Sequence, residues 1–163
     1  MFEKNNRIRK KVYQSIDGLT DEQFNQIPSN GGWSPKQIFE HLVRMETLIA
    51  KKVAEELKNP NSPKSSKKPL VFTSGRLLKV DEPADTVPTE GYKSIIEMKN
   101  ELYESRLFLL DVFESTTMDV LCEKSFKHPH LGHVPLIQWF LFVGLHEKWH
   151  LKQLKKTLEM NAK

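Results

Sequence analysis

The chain has 163 residues, 38% of them hydrophobic, and these values predict one domain over residues 1–163, because no repeat or second apolar block divides the sequence. Its single cysteine, Cys122, excludes an internal disulfide framework, and together with a first segment that lacks a signal-peptide pattern it predicts a cytoplasmic protein. The net charge of +4 comes from lysines scattered among acidic residues, so nucleic-acid binding is unsupported, and no apolar stretch has the length that crosses a membrane.

Apolar residues at helical spacing predict the first of four long helices over residues 2–17, which Gly18 ends. The second helix is predicted over residues 35–57. Its start is the clearest in the chain, because Ser34 suits the N-cap position and Gln37 completes a capping box.

Prolines interrupt residues 58–90, which we predict to be an irregular crossover that either links two helices or folds over a site. A third helix is predicted over residues 90–114 and a last one over residues 135–160. The stretch 136–143 is apolar around the whole helix, a pattern typical of a buried helix or of contact with a partner chain, so we expect a homodimer. The fold class is therefore predicted to be all-α, a four-helix bundle with a long crossover between helices two and three.

The last helix contains the sequence HEKWH at residues 146–150. Two imidazoles four residues apart lie on one helical face, where their neutral ring nitrogens can bind one zinc-like ion. A metalloprotease takes its third ligand from well downstream, but residues 151–163 only continue the helix, with apolar and lysine residues at helical spacing. The third ligand must come from upstream, and histidine is the first candidate.

The upstream histidines fall into two groups. Three lie in residues 128–133, where Pro129 and Gly132 mark a turn and predict a surface loop. The other, His41, borders the apolar face of the second helix, where a lone histidine is more often a core residue than a ligand. In a bundle, however, His41, His146 and His150 could point into one pocket, and three ligands would leave a coordination position for water or a thiolate.

Three segments resemble the DinB/YfiT-like superfamily of metal-binding bundle proteins: GWSPKQIFEHL at residues 32–42, HPHLG at 128–132 and HEKWHLKQL at 146–154. The resemblance spans nearly the whole chain. It implies a homodimer in which the helix-two histidine and both last-helix histidines bind a divalent ion, usually zinc or nickel. By this resemblance the ligands are His41, His146 and His150.

The resemblance also implies metal-dependent transfer of a low-molecular-weight thiol onto small electrophiles. A metal-dependent hydrolase and a noncatalytic, metal-stabilised dimeric binding protein are the alternatives. Gln153 belongs to the family pattern and could orient a ligand imidazole, or could simply be a polar residue beside the core. Glu147 is at most a catalytic helper, because it points about 100° around the helix from His146.

Overall fold

The structure, a computed structural model, describes residues 1–70 and 83–163. Within these ranges four long helices form a bundle: α1 (Phe2–Ser15), α3 (Pro35–Leu57), α4 (Ile95–Glu114) and α6 (Leu136–Asn161). The shorter elements are α2 (Asp21–Asn25), a 3₁₀ turn (Ala84–Thr86), α5 (Met118–Glu123) and two strands, β1 (Ser125–His128) and β2 (Gly132–Pro135). Helix α1 packs on α6, α6 on α3, and α3 on α4. The predicted all-α bundle is confirmed.

Helix α3 begins and ends at the predicted residues. The backbone N–H of Gln37 donates to Ser34 Oγ at 3.1 Å, and the backbone N–H of Ser34 donates to Gln37 Oε1 at 2.9 Å. This reciprocal pair satisfies two N–H groups that a helix start leaves without partners. It thereby fixes the first residue of α3 and with it the position of His41 along the helix.

Two predicted helix ends are wrong by two or more residues, whereas α6 begins and ends one residue later than predicted. Helix α4 begins at Ile95 rather than at residue 90, because Ser94 and Glu97 form a capping box there, with Glu97 N–H donating to Ser94 Oγ at 3.1 Å. Helix α1 ends at Ser15 rather than at residue 17, and Gly18 follows with φ +81° in the turn to α2.

The turn predicted within residues 128–133 is present at residues 129–131, but paired strands flank it, which a plain surface loop would lack. These residues belong to an antiparallel hairpin of β1 and β2, in which Phe126 pairs with Val134. The Phe126 ring stacks on Trp139 of α6 with centroids 4.0 Å apart, which holds the hairpin against the bundle. His128 is consequently buried, whereas His130 is exposed.

Among the described residues the apolar core forms two clusters, one at each end of the bundle. The cluster near the hairpin includes Val53, Leu109, Phe140 and Val143. The other includes Val12, Phe39, Leu102 and Leu154. Between them lies a layer of four buried charged residues, one from each long helix: Arg9, Glu46, Arg106 and Glu147.

The apolar start of α6 is covered by its own chain. In residues 136–143 only Leu141 is exposed, at 39%, while the others pack inside the bundle or under the hairpin. Packing within one chain therefore accounts for much of the apolar pattern, and the homodimer stays a prediction. No helix in the described ranges is long and apolar enough to cross a membrane.

The crossover is attached to the bundle at both of its described ends. On the first side, Lys68 exchanges two hydrogen bonds with the side chain of Gln138, at 2.7 and 2.8 Å. On the second side, Thr89 contacts α3. The middle of the crossover, residues 64–76, for which the sequence favours a linker over a cover on a site, lies partly outside the described residues. The segment that follows Pro83 reaches the histidine cluster.

Candidate metal centre

Three histidines from two helices meet between the core clusters. Nε2 of His41 lies 3.0 Å from Nε2 of His146, which lies 3.1 Å from Nε2 of His150. All three side chains are buried, and their ligand atoms lie within 4.8 Å of one another. The structure thus brings together the three residues that the sequence singled out, in a cluster that could hold a metal ion.

Hydrogen bonds fix the tautomers of two of these rings. His41 Nδ1 lies 2.8 Å from the backbone oxygen of Thr86, and His150 Nδ1 lies 2.7 Å from Oε1 of Gln153. Because a carbonyl oxygen only accepts, each Nδ1 carries the proton and donates it. The Nε2 lone pairs of both rings are therefore free, and they point at the same place as His146 Nε2.

The distances from His146 Nε2 to the other two Nε2 atoms are compatible with a shared divalent ion. Four-coordinate zinc with nitrogen ligands at roughly 2.0–2.1 Å separates neighbouring nitrogens by about 3.3 Å, close to the observed values of 3.0 and 3.1 Å. Three imidazoles fill three positions and leave one for a further ligand.

The local electrostatics keep the imidazoles in the form that binds metal. Burial lowers the pKa of His41, and burial together with the neighbouring rings lowers the pKa of His146 well below its usual value. Burial, with His41 nearby, lowers the pKa of His150 to about 3. The rings are therefore neutral at pH 7, as metal ligation requires.

These lowered pKa values predict that the metal-free protein becomes less stable as the pH falls. An unfolded histidine has a pKa near 6.5, so below that pH the unfolded chain binds protons that His150 in the folded chain rejects until pH about 3. We expect the thermal midpoint to drop between pH 7 and pH 5, and the drop to shrink in His150→Gln. The exposed His133 serves as the control, since His133→Ala should leave the change of the thermal midpoint with pH as it is in the wild type. The same change in the wild type, His150→Gln and His133→Ala would refute the prediction.

Aromatic rings enclose the histidine cluster. Trp33 stacks on His150 with centroids 6.1 Å apart and lies 4.9 Å from the ring of His41. Phe142 stacks on His146 at 5.9 Å. These rings limit the access of water and restrict rotation of the imidazoles.

The buried ion pair between Lys36 and Glu40 helps to position the segment that contains Thr86, the hydrogen-bond partner of His41. The Glu40 carboxylate contacts Lys36 Nζ at 2.6 Å and accepts the backbone N–H of Thr89 at 3.2 Å. This ties the segment after Pro83 to α3, beside His41, and so helps to hold the Thr86 carbonyl in place. Sequence reasoning missed Thr86, since its role depends on a backbone oxygen, which any residue could supply.

Glu147 points away from the ligand cluster. Its carboxylate accepts hydrogen bonds from Arg9 Nε and, at 3.0 Å, from Arg106 Nη2. Both oxygens are thus engaged in the charged layer. The position agrees with the rotation around the helix expected from the sequence, and the catalytic role of Glu147 stays a prediction.

Gln153 lies one turn beyond His150 and is its hydrogen-bond partner, so we predict that Gln153→Ala weakens metal affinity. Loss of such a supporting group typically costs about 10–100-fold, because the ring is no longer held in one tautomer and orientation. Competition titration against a zinc chelator measures the loss. Lys152→Ala, at the exposed neighbouring position, should bind like the wild type; a Gln153→Ala protein with wild-type affinity would assign Gln153 a packing role only.

A cavity of about 140 Å³ lies against the cluster at His146. Its wall is largely apolar and combines side chains of α3, α6 and the hairpin: Met45, Ile49, Phe126, Trp139 and Phe142. His128 and the exposed Lys52 and Lys127 also line it. The cavity gives a small molecule a place beside one of the three ligand rings.

Comparison with known proteins gives three findings. The family model described as the DinB superfamily matches residues 5–154. The uncharacterized protein YuaE of Bacillus subtilis (strain 168) is 30% identical over 154 residues, which make up 94% of each chain. The crystal structure of TT2238, a four-helix bundle protein, has a TM-score of 0.63 at 21% identity over 95% of each chain, a likeness that shows the fold.

Proposed function

The chain belongs to the DinB superfamily, and from this premise we propose that His41, His146 and His150 bind one divalent ion, zinc or nickel, in a metal-dependent thiol S-transferase that acts on small electrophiles. The convergence of three Nε2 atoms, two of them with lone pairs fixed by hydrogen bonds, is the observation that carries the proposal. A three-ligand site retains the open position that a substrate needs.

A divalent ion at this position would lower the pKa of a coordinated thiol, so that the strongly nucleophilic thiolate is present at neutral pH. The chain itself offers no comparable nucleophile in the site, since its one cysteine, Cys122, is exposed on α5. The substrate sulfur forms a bond to the electrophilic carbon, the leaving group departs with the bonding electrons, and the thiol proton passes to solvent. The residues of the site orient the reactants and limit water.

A hydrolase would use the same three histidines with water in place of the thiol. Such an enzyme gains from a carboxylate that can accept a proton from water. The nearest candidate in the motif, Glu147, has both oxygens hydrogen-bonded to arginines, which favours the thiol route. A noncatalytic role, in which the ion only stabilises the bundle or a dimer, is the remaining alternative.

The assay combines metal-loaded protein, a panel of small thiols and a chromogenic aryl halide, with His150→Ala as control. We expect halide release that requires both the thiol and an intact histidine cluster. Turnover without thiol would favour the hydrolase. Absence of metal-dependent turnover across the panel would favour the noncatalytic role.

We also propose that the protein is a cytoplasmic homodimer. The support is the likeness in sequence to the family, together with the surface around Leu141, the one residue of 136–143 that packing within the chain leaves exposed. Light scattering at micromolar protein concentration should give twice the mass of one chain, which is 19.0 kDa. A monomer at that concentration would contradict the proposal, and Leu141→Lys, which places a charge on this surface, should weaken a dimer formed through it.

A further inference from the structure

One ring nitrogen of His128 is committed to the hairpin turn. Nδ1 accepts the backbone N–H groups of His130, at 3.1 Å, and Leu131, at 3.2 Å. A ring nitrogen that accepts carries no proton, so the proton of the neutral imidazole resides on Nε2. Burial, with His130 nearby, lowers the pKa of His128, which favours this neutral form.

The Nε2–H group of His128 makes no hydrogen bond to the part of the chain that the structure describes. The residue is only 7% exposed, and its ring lines the cavity beside His146. Donors in such positions nearly always have an acceptor. His128 Nε2 is not among the sealed polar atoms that lack a partner, so this N–H is open to the cavity, where water or a bound molecule can accept it.

The cavity itself indicates the size and charge of that molecule. At about 140 Å³ with a largely apolar wall, it is comparable to a cavity of roughly 150 Å³ that binds benzene in another protein. Lys52 and Lys127 are exposed side chains that line it and form no ion pair with described residues. Two such cations favour an anionic group on the ligand.

We propose that this cavity binds the electrophilic substrate, a molecule with an apolar body about the size of a benzene ring and a carboxylate whose oxygen accepts the Nε2–H of His128. His128 is then a substrate-binding residue that selects for an acceptor oxygen. This inference rests on the proposed function in one respect, because it names the second substrate of the same site. Binding itself needs neither the thiol nor turnover.

Two substitutions of His128 distinguish the acceptor role of Nδ1 from the donor role of Nε2. His128→Asn places an amide oxygen near the position of Nδ1, so the hairpin turn keeps its acceptor while the donor in the cavity is lost. His128→Gln extends an amide N–H towards the position of Nε2 and retains a donor. Far-UV circular dichroism and metal content should match the wild type in the Asn variant, because His128 is not among the three proposed ligands.

The probes are 4-fluorobenzoate, 4-fluorobenzamide and fluorobenzene, titrated by ¹⁹F NMR against the protein as isolated and after chelator treatment. We expect the benzoate to bind best, the neutral amide less well and fluorobenzene least. His128→Asn should weaken benzoate binding roughly 10- to 100-fold, the loss of a hydrogen bond to a charged group, and His128→Gln should recover part of it.

Equal binding of benzoate and fluorobenzene, or unchanged benzoate affinity in His128→Asn, would overturn the inference. His41→Ala distinguishes binding at the metal centre from binding at His128, because His41 does not line the cavity. That variant should lose metal yet bind 4-fluorobenzoate like the wild type. Loss of benzoate binding in His41→Ala would mean that the carboxylate binds at the metal rather than at His128. A failure of thiol transfer alone would leave all these affinities unchanged.

Discussion

Replacing His146 with alanine is expected to abolish tight binding of a divalent ion. His146 Nε2 lies within 3.1 Å of both other Nε2 atoms, so its ring is the member of the cluster that connects His41 with His150. Loss of a group that merely supports a ligand typically costs about 10–100-fold in affinity, and loss of a ligand should cost more. Elemental analysis after dialysis, followed by chelator competition, measures the change.

The matched control is His133→Ala. His133 is an exposed histidine on β2, so its loss removes an imidazole from the protein without touching the cluster. We expect one ion per chain in this control, as in the wild type. Equal metal content in His146→Ala and His133→Ala would remove the ligand assignment.

Neutralising Glu46 is expected to destabilise the fold strongly, because its carboxylate pairs with two buried arginines. Glu46 accepts Arg106 Nε at 2.8 Å and also pairs with Arg9, and all three side chains are buried. Glu46→Gln keeps the shape but leaves two buried guanidiniums with one carboxylate, Glu147. Breaking such a pair costs about 3–5 kcal/mol of unfolding free energy, because a buried charge loses its partner. Urea unfolding followed by circular dichroism measures it.

Glu3→Gln is the control for this change. The Glu3–Arg7 pair has the same chemistry, but its side chains are 81% and 75% exposed, so water already screens both charges. We expect its unfolding curve to overlay the wild type within error. A Glu46→Gln protein as stable as Glu3→Gln would show that the buried layer contributes nothing to stability.

The charged layer also links the fold to the site. Because each of the four long helices contributes one charge, sliding any helix along its neighbours separates a buried pair, so the layer favours one alignment of the helices. Glu147 belongs to this layer and His146 precedes it in the same helix turn. The alignment that pairs the charges is therefore the one that brings His146 to His41.

Local patterns were sufficient to predict much of this arrangement. The capping box at Ser34 fixed the start of α3, and the spacing of His146 and His150 placed both rings on one face of α6. The structure places His41 beside the other two histidines, as its position at the apolar face of its helix indicated. Each of these signals lies within a few residues of sequence.

Features that depend on distant partners were not predictable in the same way. The hairpin strands have only four residues each, and their stability depends on Phe126 packing against Trp139. The roles of Arg9 and Arg106 depend on acidic partners from other helices, which local sequence patterns do not identify. The proton on His128 Nε2 follows from the geometry of the turn, which sequence alone did not specify.

Anomalous diffraction at the zinc and nickel edges, from crystals grown without chelator and soaked with each metal, tests the central assignment most directly. We expect a single strong peak among the Nε2 atoms of His41, His146 and His150, at roughly 2.0–2.1 Å from each if the ion is zinc. No peak at this position after soaking, or a stronger one elsewhere in the chain, would contradict the metal centre.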